Sequence, residues 1–171
     1  HEDICTRCRI EVRLRNSAKK EAPKLSVFDK NGKRIRGPIV IPAHNGHIDV
    51  AREMDELLKF TEANREKYCS DELIVLDVSG PHLPSMDLVD LPGMRAAPQK
   101  AAEETRAIVD KHIQKHGSYS MYLAILPAAG RPLNSRAMEA VMAHNLQANT
   151  FGVFTKSDEL SDRAISQLRS K

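Results

Sequence analysis

Apolar and polar positions alternate near the start of the chain, where Ile10, Val12 and Leu14 stand between Arg9, Glu11, Arg13 and Arg15. A period of two sends the two sets to opposite faces of an extended backbone, so the pattern predicts a half-buried strand over residues 9–16 with a charged outer face. Residues 24–29 read as a weaker strand, and Asn31-Gly32 as a hairpin-type turn toward a third strand over 36–41. Helical spacing follows over 46–68, with Ile48, Ala51, Met54 and Leu58 on one face. Strands are predicted over 73–78 and 86–91, each stopped by Gly and Pro, and a helix over 100–115 carries Ala101, Thr105, Ile108, Val109 and His112 on one side. The nearly all-apolar run 119–126 predicts a strand covered on both faces, at the centre of the sheet. A helix over 134–149 (Met138, Val141, Met142, Leu146), a short strand over 150–154 and a helix over 158–170 (Leu160, Ala164, Leu168 inward) complete the chain. Strand and helix alternate from residue 86 onward. The expected fold is therefore α/β, three-layered, with a mostly parallel central sheet and helices on both faces, and ligands beyond the carboxyl ends of the strands.

Composition narrows the class without choosing a function. The 171 residues are 41% hydrophobic and 29% charged, the balance of one ordinary soluble domain. Seven aromatics and no Trp argue against an aromatic cage or a base-stacking platform. The longest nearly continuous apolar run, Met121 to Ala129, is far too short to cross a bilayer. The opening residues show neither an initiator Met nor a secretory pattern, so the chain reads as cut from a longer one. Three cysteines make a disulfide framework improbable and favour a reducing, intracellular compartment.

Net charge is +3, unevenly spread: residues 1–36 hold 11 Lys/Arg against 5 Asp/Glu, leaving the remainder at −3. Such a basic segment is either a nucleic-acid footprint or a solvated strand face. The charges alternate with apolar residues and lack interleaved aromatics, which favours the solvated face and no nucleic acid. Cys5 and Cys8 have no second pair, His44 and His47 lack a third ligand, and Met138 and Met142 read as core.

Candidate chemistry sits at predicted strand ends. Asp90 closes an apolar strand and is followed by Leu91-Pro92-Gly93, a sharp turn whose Gly lets a backbone N–H approach an anion. Phe154-Thr155-Lys156-Ser157-Asp158 stands between a strand and a helix, and Cys5-Thr6-Arg7 precedes the first strand. Taken singly, Asp90 is equally a turn residue, Asp158 an N-cap and Thr6 a loop hydroxyl.

Taken in order, these stretches resemble the GTPase domain of the dynamin superfamily. The match includes Cys5-Thr6-Arg7-Cys8, the run from Ser79 through Val89-Asp90-Leu91-Pro92-Gly93-Met94, Leu133-Asn134-Ser135, and Gly152 through Asp158. Thr6 and Asp90 stand 84 positions apart, as a large dynamin-type insertion requires and as small Ras-like GTPases do not show. The resemblance implies a P-loop NTPase-like fold that binds Mg²⁺ and GTP and hydrolyses the nucleotide, with self-association through the GTPase domain and peripheral membrane remodelling in the parent protein. Under it, Thr6 is the switch threonine and a Mg²⁺ ligand, Asp90 the second-shell magnesium acid, and Gly93 the backbone donor to the γ-phosphate. Asp158 reads the guanine edge, Lys156 lays its stem on the purine, and Thr155 orients the loop.

No G-x-x-x-x-G-K-[ST] stretch occurs, and the family's final base-contacting loop is also missing. Residues 1–171 are thus expected to be a partial GTPase domain, inactive alone. Met94 to Lys100 departs from the family's second switch, which leaves a non-hydrolysing interaction module as the alternative. Thr6, Asp90 and the Lys156-x-Asp158 loop are expected to converge on one nucleotide.

Overall fold

The computed structural model describes residues 8–41, 43–44, 47–48, 56–57, 59, 69–94 and 98–159. The chain divides into two compact units, residues 1–93 with 103–108 and residues 94–102 with 109–171.

The first unit holds β1 (Arg9–Asn16), β2 (Lys24–Phe28), β3 (Arg34–Val40), β4 (Ala43–His44), β5 (His47–Ile48), β6 (Leu73–Gly80) and β7 (Met86–Asp90). Five of these make one sheet in the order β3-β2-β6-β1-β7. Only β1 and β6 run parallel, in register from Arg9 opposite Leu73 to Asn16 opposite Gly80. The β1–β7, β2–β3 and β2–β6 pairs are antiparallel, so the expected mostly parallel sheet is corrected to a mostly antiparallel one. Connection length supplies the reason. Five residues join β2 to its sheet neighbour β3, too few for the crossover that parallel neighbours need, and the five between β6 and β7 likewise send β7 back against the direction β6 shares with β1.

The period-two pattern of β1 does place Ile10 and Val12 against a core of Cys8, Leu25, Val27, Ile41, Leu57, Ile74 and Leu76. On the opposite face Ser26 and Val75 are also buried and stand side by side in the ladder, so the sheet's centre lies at β2 and β6. Its outer edge, β7, is exposed along its whole length.

The helix expected over 46–68 falls largely outside the described residues. Glu56, Leu57 and Lys59 are helical, but residues 47–48 are strand, pairing antiparallel with 43–44. The intervening Asn45-Gly46 dipeptide is a hairpin signal that outweighs the helical spacing there.

Gly37 shows where backbone geometry dictates the residue. Its φ of +87° is left-handed, and a Cβ there would lie 2.5 Å from the Leu25 carbonyl oxygen. Gly37→Ala is expected to destabilise the protein by about 2 kcal/mol or more, read as a lowered urea midpoint. An unchanged midpoint would show that β3 shifts freely to make room.

Helix α1 (Gln99–His116) buries Ala101, Thr105, Ile108 and Val109 as its periodicity predicts, but at the end of the stripe it buries Ile113, with His112 only half-buried. Its residues 103–108 belong to the first unit, where the Glu104 carboxylate accepts the Cys69 N–H at 3.1 Å.

The second unit carries β8 (Tyr122–Pro127), α2 (Arg136–Ala143) and β9 (Thr150–Thr155). β8 and β9 run parallel from Tyr122 opposite Thr150 to Pro127 opposite Thr155, joined through α2 as a βαβ crossover. The predicted helix over 134–149 is shorter because capping residues interrupt it. Ser135 accepts the Ala137 N–H at 3.2 Å and opens α2. At the other end Asn145 adopts φ +55°, and the Leu146 N–H returns to the Val141 carbonyl at 2.9 Å, a left-handed stop. His144 at that end pairs with Asp110 of α1 at 2.7 Å.

Ala124, Leu126, Val141 and Leu146 are buried, and a cleft of about 220 Å³ between α2 and the sheet is lined by Leu126, Met138, Val141 and Phe154. The alternate face, with Leu123, Ile125, Phe151 and Val153, is exposed. β8 is therefore neither covered on both faces nor central among the described residues. An all-apolar run records that both faces tolerate burial, but it does not supply the second layer. Of the helix expected over 158–170, residues 158–159 lie in a 3₁₀ turn, Ser157–Glu159, and the rest fall outside the described residues.

Candidate functional site

Two of the sequence-predicted groups lie at strand ends. Asp90 is the last residue of β7, opposite Ile10 in the ladder, and is exposed. Proline cannot donate to a ladder, so the strand stops at Leu91-Pro92. The Pro92 ring is fully buried and holds the turn to the protein, while Gly93 is exposed. A Cβ at Gly93 would meet nothing within 4 Å. The turn thus offers an accessible carboxylate and, three residues on, a glycine backbone with open space beside it.

The second group follows β9. The Thr155 hydroxyl donates to the Leu126 carbonyl at 3.3 Å, and the Ala128 N–H donates to the Thr155 carbonyl at 2.8 Å. Lys156, next in the chain, has φ +55°, a conformation uncommon for a residue with a Cβ. The 3₁₀ turn Ser157–Glu159 then leaves Asp158 exposed. An exposed carboxylate held on a short turn can accept two N–H donors from one planar partner, and an exposed lysine stem can cover an apolar ring.

Asp90 and Gly93 share one turn in the first unit, and Thr155, Lys156 and Asp158 share one loop in the second. Thr6 lies outside the described residues, as does Cys5. Cys8 is fully buried, a packing position rather than an accessible thiol. The basic strand face is also accounted for locally: Arg13 pairs with Glu11 at 2.6 Å and Arg15 with Asp87 at 2.5 Å. Ala128, which no sequence signal marks, ties the Thr155 loop to the end of β8.

The mixed α/β chain begins Asp-Leu-Pro-Gly at the end of β7 and Thr-Lys-Ser-Asp at the end of β9, two short stretches that GTPases of the P-loop class also carry. The sequence model of the dynamin family matches residues 1–157, and the chain belongs to that family. Among its relatives, the interferon-induced GTP-binding protein Mx1 of Oncorhynchus mykiss is 25% identical over 166 residues, covering 91% of this chain and 24% of the relative. Mx1 of Bos taurus is 29% identical over 163 residues, covering 91% and 23%. Mx3 of Rattus norvegicus is 34% identical over 102 residues, covering 55% and 15%. The chain thus spans about a quarter of the length of the first two relatives.

Proposed function

We propose that this chain is part of a GTPase that binds Mg²⁺-GTP and hydrolyses it to GDP and phosphate. The observation that carries the reading is the placement of the family's two signatures, Asp90-x-x-Gly93 and Thr155-Lys156-x-Asp158, at the carboxyl ends of β7 and β9 in a chain matched to the dynamin family over residues 1–157. Asp158 would accept from the guanine ring N–H and exocyclic amine together, and Lys156 would cover the purine face. Gly93 would offer its N–H to the γ-phosphate as charge builds there.

Open space beside Gly93 and an exposed hard-oxygen donor at Asp90 fit a metal-bound phosphate. Thr6 and Asp90 are the residues that would hold Mg²⁺, Asp90 through the ion's water shell, and the ion would neutralise phosphate charge. Coupling of hydrolysis to self-association and membrane remodelling, and a cytoplasmic, peripherally membrane-associated location, belong to the same proposal for the full-length protein. The paired arginines of β1 weigh against a nucleic-acid footprint.

Gly93→Ala tests the reading. A Cβ there touches nothing in the protein, so folding is expected to be unchanged, whereas the methyl group stands where the phosphate would approach. The full-length variant keeps the N–H but its methyl group would hold the phosphate away from it, so the thermal midpoint should be unchanged and hydrolysis should fall by roughly 10²-fold or more, the scale of an oxyanion donor put out of reach. Undiminished turnover would remove Gly93 from the site.

A further inference from the structure

The carboxyl ends of β8 and β9 lie side by side, with Pro127 opposite Thr155, and each strand continues into a loop of the second unit. After β8 the Gly130 N–H donates to the Pro127 carbonyl at 3.0 Å, and the Asn134 N–H donates to the Arg131 carbonyl at 3.0 Å. Arg131 stands between these two turns with an extended backbone, φ −83° and ψ 122°, and is exposed. Among the described residues it is the one arginine whose guanidinium has no hydrogen bond, ion pair or ring contact. Arg136, five residues on, is held by Glu139 at 2.8 Å. On the neighbouring loop Asp158 is in the same state as Arg131, exposed and without a hydrogen bond or ion pair among the described residues. Two opposite charges on adjacent loops are therefore both available, and they do not pair with each other.

We infer that Arg131 is a second base-contact residue, donating to the O6 and N7 acceptors of the guanine whose ring N–H and amine Asp158 receives. The inference rests on the proposed guanine-reading role of Asp158. Around its rim guanine presents N7 and O6 as acceptors and then the ring N–H and amine as donors, so a donor-only group beside an acceptor-only group complements it. A guanidinium places two N–H donors in one plane and meets O6 and N7 together. Phosphate is the other acceptor an arginine takes bidentately. The turn proposed to meet the γ-phosphate, Asp90 to Gly93, belongs to the other unit, whereas Asp158 shares both unit and strand pair with Arg131. The base is thus the acceptor this arginine is placed to meet. Asp158 seats the base for Arg131, so the two contacts are coupled and removal of the carboxylate also forfeits the arginine's bonds.

The test compares GTP and 7-deaza-GTP binding to the full-length protein by isothermal titration for wild type, Arg131→Ala and Asp158→Ala. The 7-deaza analogue replaces N7 with C–H and leaves the phosphates, O6, ring N–H and amine in place. Wild type is expected to prefer GTP over the analogue by roughly tenfold, the scale of one charge-assisted hydrogen bond. Arg131→Ala should bind GTP roughly tenfold or more weakly and show no preference between the two nucleotides. Its thermal midpoint should equal that of wild type, because an exposed side chain without a partner contributes little to stability. Wild-type affinity for GTP in Arg131→Ala would overturn the inference. So would equal weakening of both nucleotides with the preference intact, the mark of a long-range charge acting on the phosphates. In either case Asp158 keeps its role. If Asp158→Ala binds GTP as well as wild type, the base-reading assignment itself fails, so the two failures are distinct.

Discussion

Replacing Asp158 with alanine is expected to abolish the preference for guanosine over adenosine triphosphate, a loss of roughly 10³-fold or more in relative affinity. Selectivity of that size arises when a site is built around polar groups that only the correct ligand satisfies. Guanine presents a ring N–H and an amine on one edge, and a carboxylate accepts both; adenine offers no such pair and would leave the acceptors desolvated and unmatched. Asp158 is suited to the task because it is exposed on a short 3₁₀ turn and its loop is tied to β8 through Thr155. Its substitution should leave the fold alone, since an exposed turn residue of this kind contributes little to stability. Competition binding with GTP and ATP, alongside a thermal midpoint, measures both quantities. Retained preference for GTP in a folded variant would move base recognition elsewhere.

The second large effect is expected in the core. Ile74 is fully buried in β6, the strand paired with both β1 and β2, and packs with Leu25, Val27 and Leu76 in one apolar cluster. Truncation to alanine removes three carbons from a place whose neighbours belong to a hydrogen-bonded sheet and cannot collapse onto the gap. Ile74→Ala should therefore cost about 2–5 kcal/mol, read by urea unfolding with the m-value unchanged. Ile35 provides the contrast. It lies on edge strand β3 and is 43% exposed, so Ile35→Ala should cost under about 1 kcal/mol. Equal losses at both positions would mean that β6 is not the sheet's centre.

Much of the local architecture was legible in the residues. The alternation of Ile10, Val12 and Leu14, the Asn31-Gly32 turn, the α1 stripe and the strand ends at Pro92 and Thr155 all rest on short-range preferences: side-chain period, turn chemistry and the missing N–H of proline. The proposed site residues Asp90, Gly93, Thr155, Lys156 and Asp158 stand in two contiguous stretches of a few residues, so a reader of the sequence can name them, while their role in binding is a proposal. Caps were less legible. Ser135 and Asn145 divide what reads as one helix over 134–149, because helical spacing continues past a residue whose side chain or left-handed backbone ends the hydrogen-bonded run.

By itself the sequence determined most of the strands and the long helix among the described residues, which faces are apolar, and the family to which residues 1–157 belong. Strand direction and layering were decided only by the tertiary structure, because a strand's side-chain pattern is the same whether its neighbour runs parallel or antiparallel, and short connections force the reversal. The tertiary structure likewise decided that β2 and β6, rather than the more apolar β8, form the centre of the larger sheet. Burial depends on what other elements lie above and below a strand, and no residue's own hydrophobicity contains that information. The fastening of Thr155 to Leu126 and Ala128 is of the same kind: it joins residues far apart along the chain, and only the parallel pairing of β8 with β9 brings them within hydrogen-bonding distance.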